Sequence, residues 1–263
     1  MHRTALAGRS LRAAALVLAV ACSAACVVTE PPPPMPEEAV AAEAPLAPAW
    51  RRAGTSREGR PIEYAVFGDG PTTVLLLAGI HGNEEAGTPL LEELAARFAE
   101  YGTGLPWMRG KRVVVVPALN PDGLAANRRY NADGIDLNRN FPARNFADSR
   151  RRGEEPLSEP ESRALHDLVL ELRPHHVLTF HMPVGVIDYD GPARELAQLV
   201  SEACGLPVKQ LGSRPGSLGS WLGVDLGTPT LTVELPESDH GLTRAEAWER
   251  YGELLRVAIA YGD

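Results

Sequence analysis

The run Thr73-Val74-Leu75-Leu76-Leu77-Ala78-Gly79-Ile80 carries one hydroxyl and no charge. As a strand it has no polar side, because successive side chains point to opposite faces of a sheet. Such a strand has to be covered both above and below, which places it at the centre of a parallel or mixed sheet. Arg112-Val113-Val114-Val115-Val116, His176-Val177-Leu178-Thr179-Phe180 and Thr230-Leu231-Thr232-Val233 repeat the pattern, and Ile62 to Phe67 reads as a first strand after a turn over 54–59. Helical spacing fills the intervals. Leu90, Leu91, Leu94 and Phe98 line one face of 84–101, and Leu165, Leu168, Val169 and Leu172 follow a Pro160 suited to a first turn. Residues 192–204 and 243–260 read as two more helices, and 207–221 as irregular. Strands alternating with helices predict an α/β domain with helices on both faces of the sheet.

The first fifty residues read differently. Arg3, Arg9 and Arg12 precede a short apolar stretch from Ala13 to Ala21, the pattern of an export signal over 1–21 and too short to span a bilayer. Leu18-Ala19-Val20-Ala21-Cys22 is similar to a bacterial lipobox, which makes Cys22 the expected lipidation site; ordinary cleavage nearby is the alternative. Residues 22–50 hold Pro31-Pro32-Pro33-Pro34, Pro36, Pro45 and Pro48, an extended tether. The expected organisation is therefore signal 1–21, tether 22–50 and catalytic domain 51–263, exported to the periplasm on a lipid anchor. Removing the signal takes away three arginines and no acids, so the net charge of −8 becomes −11. That balance, with no basic cluster, argues against nucleic acid as a partner. Cys204 is then the lone cysteine of the domain and suits a small apolar role.

Ligands in open α/β sheets gather outside the carboxyl ends of the strands. His81, Asn120, His181 and Glu234 all follow strands directly. His81 and Glu84, three residues apart where strand gives way to helix, can reach one ion; a simple helix cap is the alternative. His181 is the best third ligand as the strand-end partner of His81, though alone it would read as structural. Two imidazoles and a carboxylate with an open position favour zinc. Metal chemistry on water needs a base within reach, and Glu234 stands where a charge is costly, either working or ion-paired. The stretch 131–156 lacks periodicity and is rich in Asn, Asp, Arg, Gly and Pro; a loop that long in a compact domain is usually functional.

Taken together, His81-Gly82-Asn83-Glu84, Asn120-Pro121-Asp122-Gly123, Gly134-Ile135-Asp136-Leu137-Asn138-Arg139-Asn140, His181 and Glu234 resemble the zinc carboxypeptidase family over nearly all of 55–260. Within it, Asn138 to Pro142, Leu157 to Glu161, Ile187 to Pro192 and Gly216 to Trp221 are most similar to the murein peptide amidase branch. The resemblance implies a three-layer α/β/α sandwich around a mixed, largely parallel sheet, and one zinc held by His81, Glu84 and His181. It implies Glu234 as general base, Arg129 as the group that polarises the scissile carbonyl, and Asn138 with Arg139 as the grip on a substrate carboxylate. Arg128 is adjacent to Arg129, but the Arg-x-Asn-x-x-Gly spacing favours Arg129. The implied substrate is a cell-wall peptide cut at the γ-D-glutamyl–diaminopimelate bond.

Two departures stand out. Met182 follows the last ligand where a polar residue is usual, and Leu211 to Trp221 holds no tyrosine where digestive carboxypeptidases cap their substrate. Competing readings are a general metallocarboxypeptidase, an N-acyl amino acid hydrolase of the aspartoacylase kind, and a non-catalytic wall-binding lipoprotein.

Overall fold

The computed structural model describes residues 48–262. The expected signal, Cys22 and all but the last three residues of the expected tether lie outside them. Seven strands form one sheet: β1 (Arg51–Thr55), β2 (Pro61–Phe67), β3 (Thr72–Leu77), β4 (Lys111–Val116), β5 (His176–His181), β6 (Val184–Asp190) and β7 (Thr230–Pro236), in the order β1-β2-β4-β3-β5-β7-β6. The four central strands, β4-β3-β5-β7, run parallel, while β1, β2 and β6 pair antiparallel toward the two edges. The mixed sheet with helices on both faces is the three-layer α/β/α sandwich expected from the sequence.

Alternation along the central strands distributes the core. Val74 and Leu76 of β3 join Val113, Val115, Leu178 and Phe180 on one face, under α1 (Gly87–Tyr101), α4 (Arg194–Cys204) and α5 (Arg244–Ala260). Leu75 and Leu77 join Val114, Val116 and Val177 on the other, under α3 (Pro160–Leu172) and the buried loop residues Leu137 and Phe141. A short α2 (Pro121–Ala125) follows β4. Cys204 is half-buried at the end of α4, against the first of these cores.

Four elements depart from the sequence-based expectation. Gly54 lies inside β1, where a Cβ would come within 2.6 Å of Ala164 Cβ; the glycine lets α3 settle onto the strand, and the turn begins only after Thr55. The helix expected from Glu84 starts at Gly87, because the Glu84 amide donates back to the His81 carbonyl at 3.2 Å and closes a turn first. Strand β6 and a π-helical turn over Gly219–Asp225 occupy segments without apolar periodicity.

Candidate active site

The loops after β3 and β4 are stitched together beneath the site. Asn120 donates its amide N–H to the Gly79 carbonyl at 2.8 Å and its Nδ2 to the Ile80 carbonyl at 3.3 Å, while its Oδ1 accepts from Gly123 N at 2.8 Å. At Gly82 a Cβ would fall 1.9 Å from the Gly123 backbone carbon, so no side chain fits there. That contact explains why a glycine separates His81 from Asn83, and why Gly123 closes the Asn-Pro-Asp-Gly segment.

The turn delivers His81 and Glu84 to one point, and the end of β5 brings His181 to meet them. His81 Nδ1 lies 2.8 Å from Glu84 Oε1, His181 Nδ1 lies 2.8 Å from Glu84 Oε2, and the two ring nitrogens are 3.2 Å apart. All three residues are buried, with ligand atoms within 4.8 Å of one another. The other ring nitrogens are engaged: His81 Nε2 with Asp136 Oδ1 at 3.0 Å, His181 Nε2 with Thr179 Oγ1 at 3.3 Å. A carboxylate only accepts, so His81 carries its proton on Nε2 and turns the Nδ1 lone pair inward. With His181 donating to Thr179, two lone pairs face each other and a carboxylate, an arrangement that calls for a cation between them. Ligands of a tetrahedral zinc at ~2.0–2.1 Å stand roughly 3.3 Å apart, close to the 3.2 Å between the two imidazole nitrogens, and the donor set of two imidazoles and a carboxylate fits that metal.

Charges around the triad are strongly coupled. Burial works against the Glu84 carboxylate, yet in the metal-free protein, where protons on the two Nδ1 atoms can stand in for the cation, hydrogen bonds from His181 and His81 hold it ionised well below the usual carboxylate range. Arg129 Nη1 donates to Glu84 Oε1 at 2.8 Å and Nη2 to Asp136 Oδ2 at 3.2 Å. Asp136, likewise ionised because its hydrogen bond to His81 outweighs burial, thus ties a histidine of the cluster to this arginine. Arg128 is exposed and lines no part of the cavity.

The cavity beside the triad has a volume of about 310 Å³ and is lined by His81, Glu84, Arg129, Asn138, Arg139, His181 and Glu234 together. Every site residue inferred from sequence within the domain reaches it. Glu234 projects from β7, where burial and then the Glu84 charge push its carboxyl up to about 7. Its Oε2 is buried and has no hydrogen-bond partner among the described residues. On another wall, Asn138 Oδ1 accepts from Leu218 N at 2.9 Å, which directs its Nδ2 away from that bond. Arg139 is partly buried near Arg129 and Arg214, a concentration of positive charge suited to an anion. Asp136, Asp188, Asp190 and Arg214 belong to the site without having been assigned a role from sequence. Asp136 sits inside a quoted motif, and Asp188 and Asp190 alternate with Ile187 and Tyr189 ahead of Gly191, which was the available signal.

The zinc carboxypeptidase family profile matches residues 38–190. Murein peptide amidase A of Escherichia coli is 36% identical over 195 residues, covering 67% of this chain and 75% of that protein. Gamma-D-glutamyl-L-diamino acid endopeptidase 1 of Lysinibacillus sphaericus is 25% identical over 258 residues, covering 79% and 65% respectively. The crystal structure of a murein-tripeptide amidase from Escherichia coli superposes with a TM-score of 0.65 at 30% identity, covering 83% of this chain and 94% of that one.

Proposed function

The chain belongs to the zinc carboxypeptidase family, and from that premise we propose that it is a murein peptide amidase that hydrolyses the γ-D-glutamyl–diaminopimelate bond with one zinc ion. The observation that carries the reading is the unpartnered, buried Glu234 Oε2 in the same cavity as the His81–Glu84–His181 cluster. A carboxylate kept dry and unpaired beside a metal-competent triad is poised for proton transfer.

Zinc held by His81, Glu84 and His181 supplies Lewis acidity, making water acidic near neutral pH and polarising a carbonyl. Asp136 keeps the His81 lone pair on Nδ1 and orients the Arg129 guanidinium. Glu234 takes a proton from the attacking water as the oxygen–carbon bond forms, and returns it to the departing amine nitrogen as the carbon–nitrogen bond breaks. A carboxyl with a raised pKa suits both halves of that exchange. Arg129 holds the negative charge that develops on the carbonyl oxygen. Asn138 and Arg139 grip the α-carboxylate of the leaving residue, Arg139 by paired N–H groups.

The segment from Leu211 to Trp221 lines the cavity with Leu211 to Arg214 and Ser217 to Gly219 and holds no tyrosine. That composition favours the amidase over a general metallocarboxypeptidase. All the ligands and the base are present in one cavity, which disfavours a purely binding role. We further infer export and membrane tethering through Cys22, resting on the basic, apolar and Leu-Ala-Val-Ala-Cys order of the first residues.

The test is chromatography with mass spectrometry of zinc-loaded protein on murein tripeptide and a panel of C-terminal peptides. Release of diaminopimelate, lost in Glu234→Gln, is the expected result. Cleavage by that variant at the wild-type rate would overturn the base assignment, and cleavage of the peptide panel alone would overturn the amidase reading. Cys22→Ala is expected to move the protein from membrane to soluble fractions; persistent membrane association would sink the assignment of that anchor.

A further inference from the structure

Asp188 and Asp190 are both 7% exposed, and both line the cavity that holds the zinc triad. They are two residues apart on β6 and so share one face of the sheet. Neither makes an ion pair among the described residues. Asp188 Oδ1 accepts from Leu211 N at 2.8 Å and Tyr189 N at 2.9 Å, and its other oxygen has no such bond. Asp190 Oδ1 accepts from the Ser213 hydroxyl.

The π-helical turn lies directly against Asp190. A Cβ at Gly219 would fall 1.9 Å from Asp190 Oδ2, and one at Gly223 would fall 2.4 Å from Asp190 Cβ. Two glycines four residues apart thus make room for a carboxylate at the cavity wall. Burial pushes both carboxyls above their ordinary values, and the Asp190 charge adds to this at Asp188. Two nine-tenths-buried acids with no ion-pair partner among the described residues are costly unless something positive arrives. Arg214 lines the same cavity near Asp188 and Arg139.

We propose that Asp188 and Asp190 form the subsite for an ammonium group at the end of the leaving residue's side chain, and that Arg214 takes a carboxylate on the same carbon. The inference rests on the amidase reading above and adds which residues select a diamino acid. The Asn138–Arg139 wall takes the near carboxylate, and the β6 wall reads the far, zwitterionic end. Pinning the segment 211–214 is the competing role for the two acids, and it is separable. An asparagine at either position keeps an oxygen that accepts the same hydrogen bond and loses only the charge.

Three γ-D-glutamyl substrates isolate each group: diaminopimelate, lysine, which lacks only the far carboxylate, and norleucine, which also lacks the amine. Wild-type kcat/KM is expected to favour lysine over norleucine by at least about tenfold, since hydrogen bonds to charged groups carry that much. Asp188→Asn/Asp190→Asn is expected to bring this ratio near one, mainly through KM. Arg214→Gln is expected to erase the preference for diaminopimelate over lysine and spare that for lysine over norleucine. Ratios unchanged in the acid double variant would overturn the proposal. If the wild type cleaves none of the three, the amidase reading fails, and calorimetry of the free amino acids with zinc-loaded protein decides the subsite. Diaminopimelate and lysine binding that exceeds norleucine and is lost in the double variant supports it; equal binding of all three overturns it.

Discussion

His181 and Glu234 are register partners across the parallel β5–β7 ladder. Opposed residues on neighbouring parallel strands send their side chains to the same face. One ladder rung therefore sets the spacing between the strand-end histidine of the metal-competent cluster and the unpartnered carboxylate, with no loop between them. A site mounted on two central strands is held more tightly than one carried by loops. Glu234→Gln keeps the rung and the shape while removing the carboxylate proposed as the base. The expected outcome is a fall in kcat of ~10²–10⁴, the range of general base contributions, with zinc content by elemental analysis unchanged. Loss of zinc together with activity would show that the carboxylate acts on the metal instead.

Asp136 fixes the His81 tautomer and is a shared partner of Arg129. Outer partners of this kind typically set metal affinity by ~10–100-fold. Asp136→Ala is accordingly expected to weaken zinc binding by roughly that factor in a chelator competition. An affinity within twofold of wild type would remove Asp136 from the metal's support.

The raised Glu234 carboxyl has a consequence for the metal-free protein. Its folded pKa, about 7, lies above the ordinary 4.5. Between those values the folded state binds more protons than the unfolded chain, so stability falls as pH rises. Glu234→Gln lacks that loss. The metal-free variant is expected to melt above metal-free wild type at pH 8 and to converge with it near pH 4.5, by scanning calorimetry. A gap that is the same at both values would refute the linkage.

His176 titrates in the opposite sense. It is 2% exposed, its Nε2 meets the Ala258 carbonyl at 2.8 Å, and burial lowers its pKa to about 4 despite that bond. The unfolded chain takes up the proton first, so this group's stability is complete above pH 6.5 and drains away toward pH 4, by at most ~3 kcal/mol. Urea titrations of wild type and His176→Gln are expected to diverge above pH 6.5 and to approach each other at pH 4. Parallel curves across that range would count against a buried neutral imidazole.

How much of this was legible beforehand follows from burial. Strands β3, β4, β5 and β7 are covered on both faces and so announce themselves as unbroken apolar runs. Strand β1 lies at an edge with mostly exposed or half-buried residues, and β6 starts at an exposed Val184 and points Asp188 and Asp190 into the cavity. Neither carries the apolar pattern that marks a strand. His81, His181 and Glu234 stood out because strand ends are where α/β sheets gather ligands. Asp136 did not, since an acid in a polar loop reads equally well as solvated. The π-helical turn has no periodic signature, and what its Gly219 and Gly223 approach is the side chain of Asp190, from a strand far earlier in the chain.

Gly82 tests whether the loops beneath the metal position are as closely packed as described. The obstacle to a Cβ there is backbone: Gly123 C at 1.9 Å, Leu124 N at 2.2 Å and Gly123 O at 2.3 Å. A side chain could rotate out of the way, but a backbone held by the Asn120 hydrogen bonds cannot do so without moving α2 and the turn that carries Glu84. Gly82→Ala is thus expected to cost at least the ~1–3 kcal/mol of an overpacked core and to reduce zinc affinity as well, because the same displacement separates His81 from Glu84. Gly104→Ala is the control, since nothing lies within 4 Å of its Cβ position. Denaturant midpoints should fall for the first variant and hold for the second. A Gly82→Ala protein with wild-type midpoint and zinc affinity would mean that the two loops do not meet, and that the glycine beside His81 serves some purpose other than closeness.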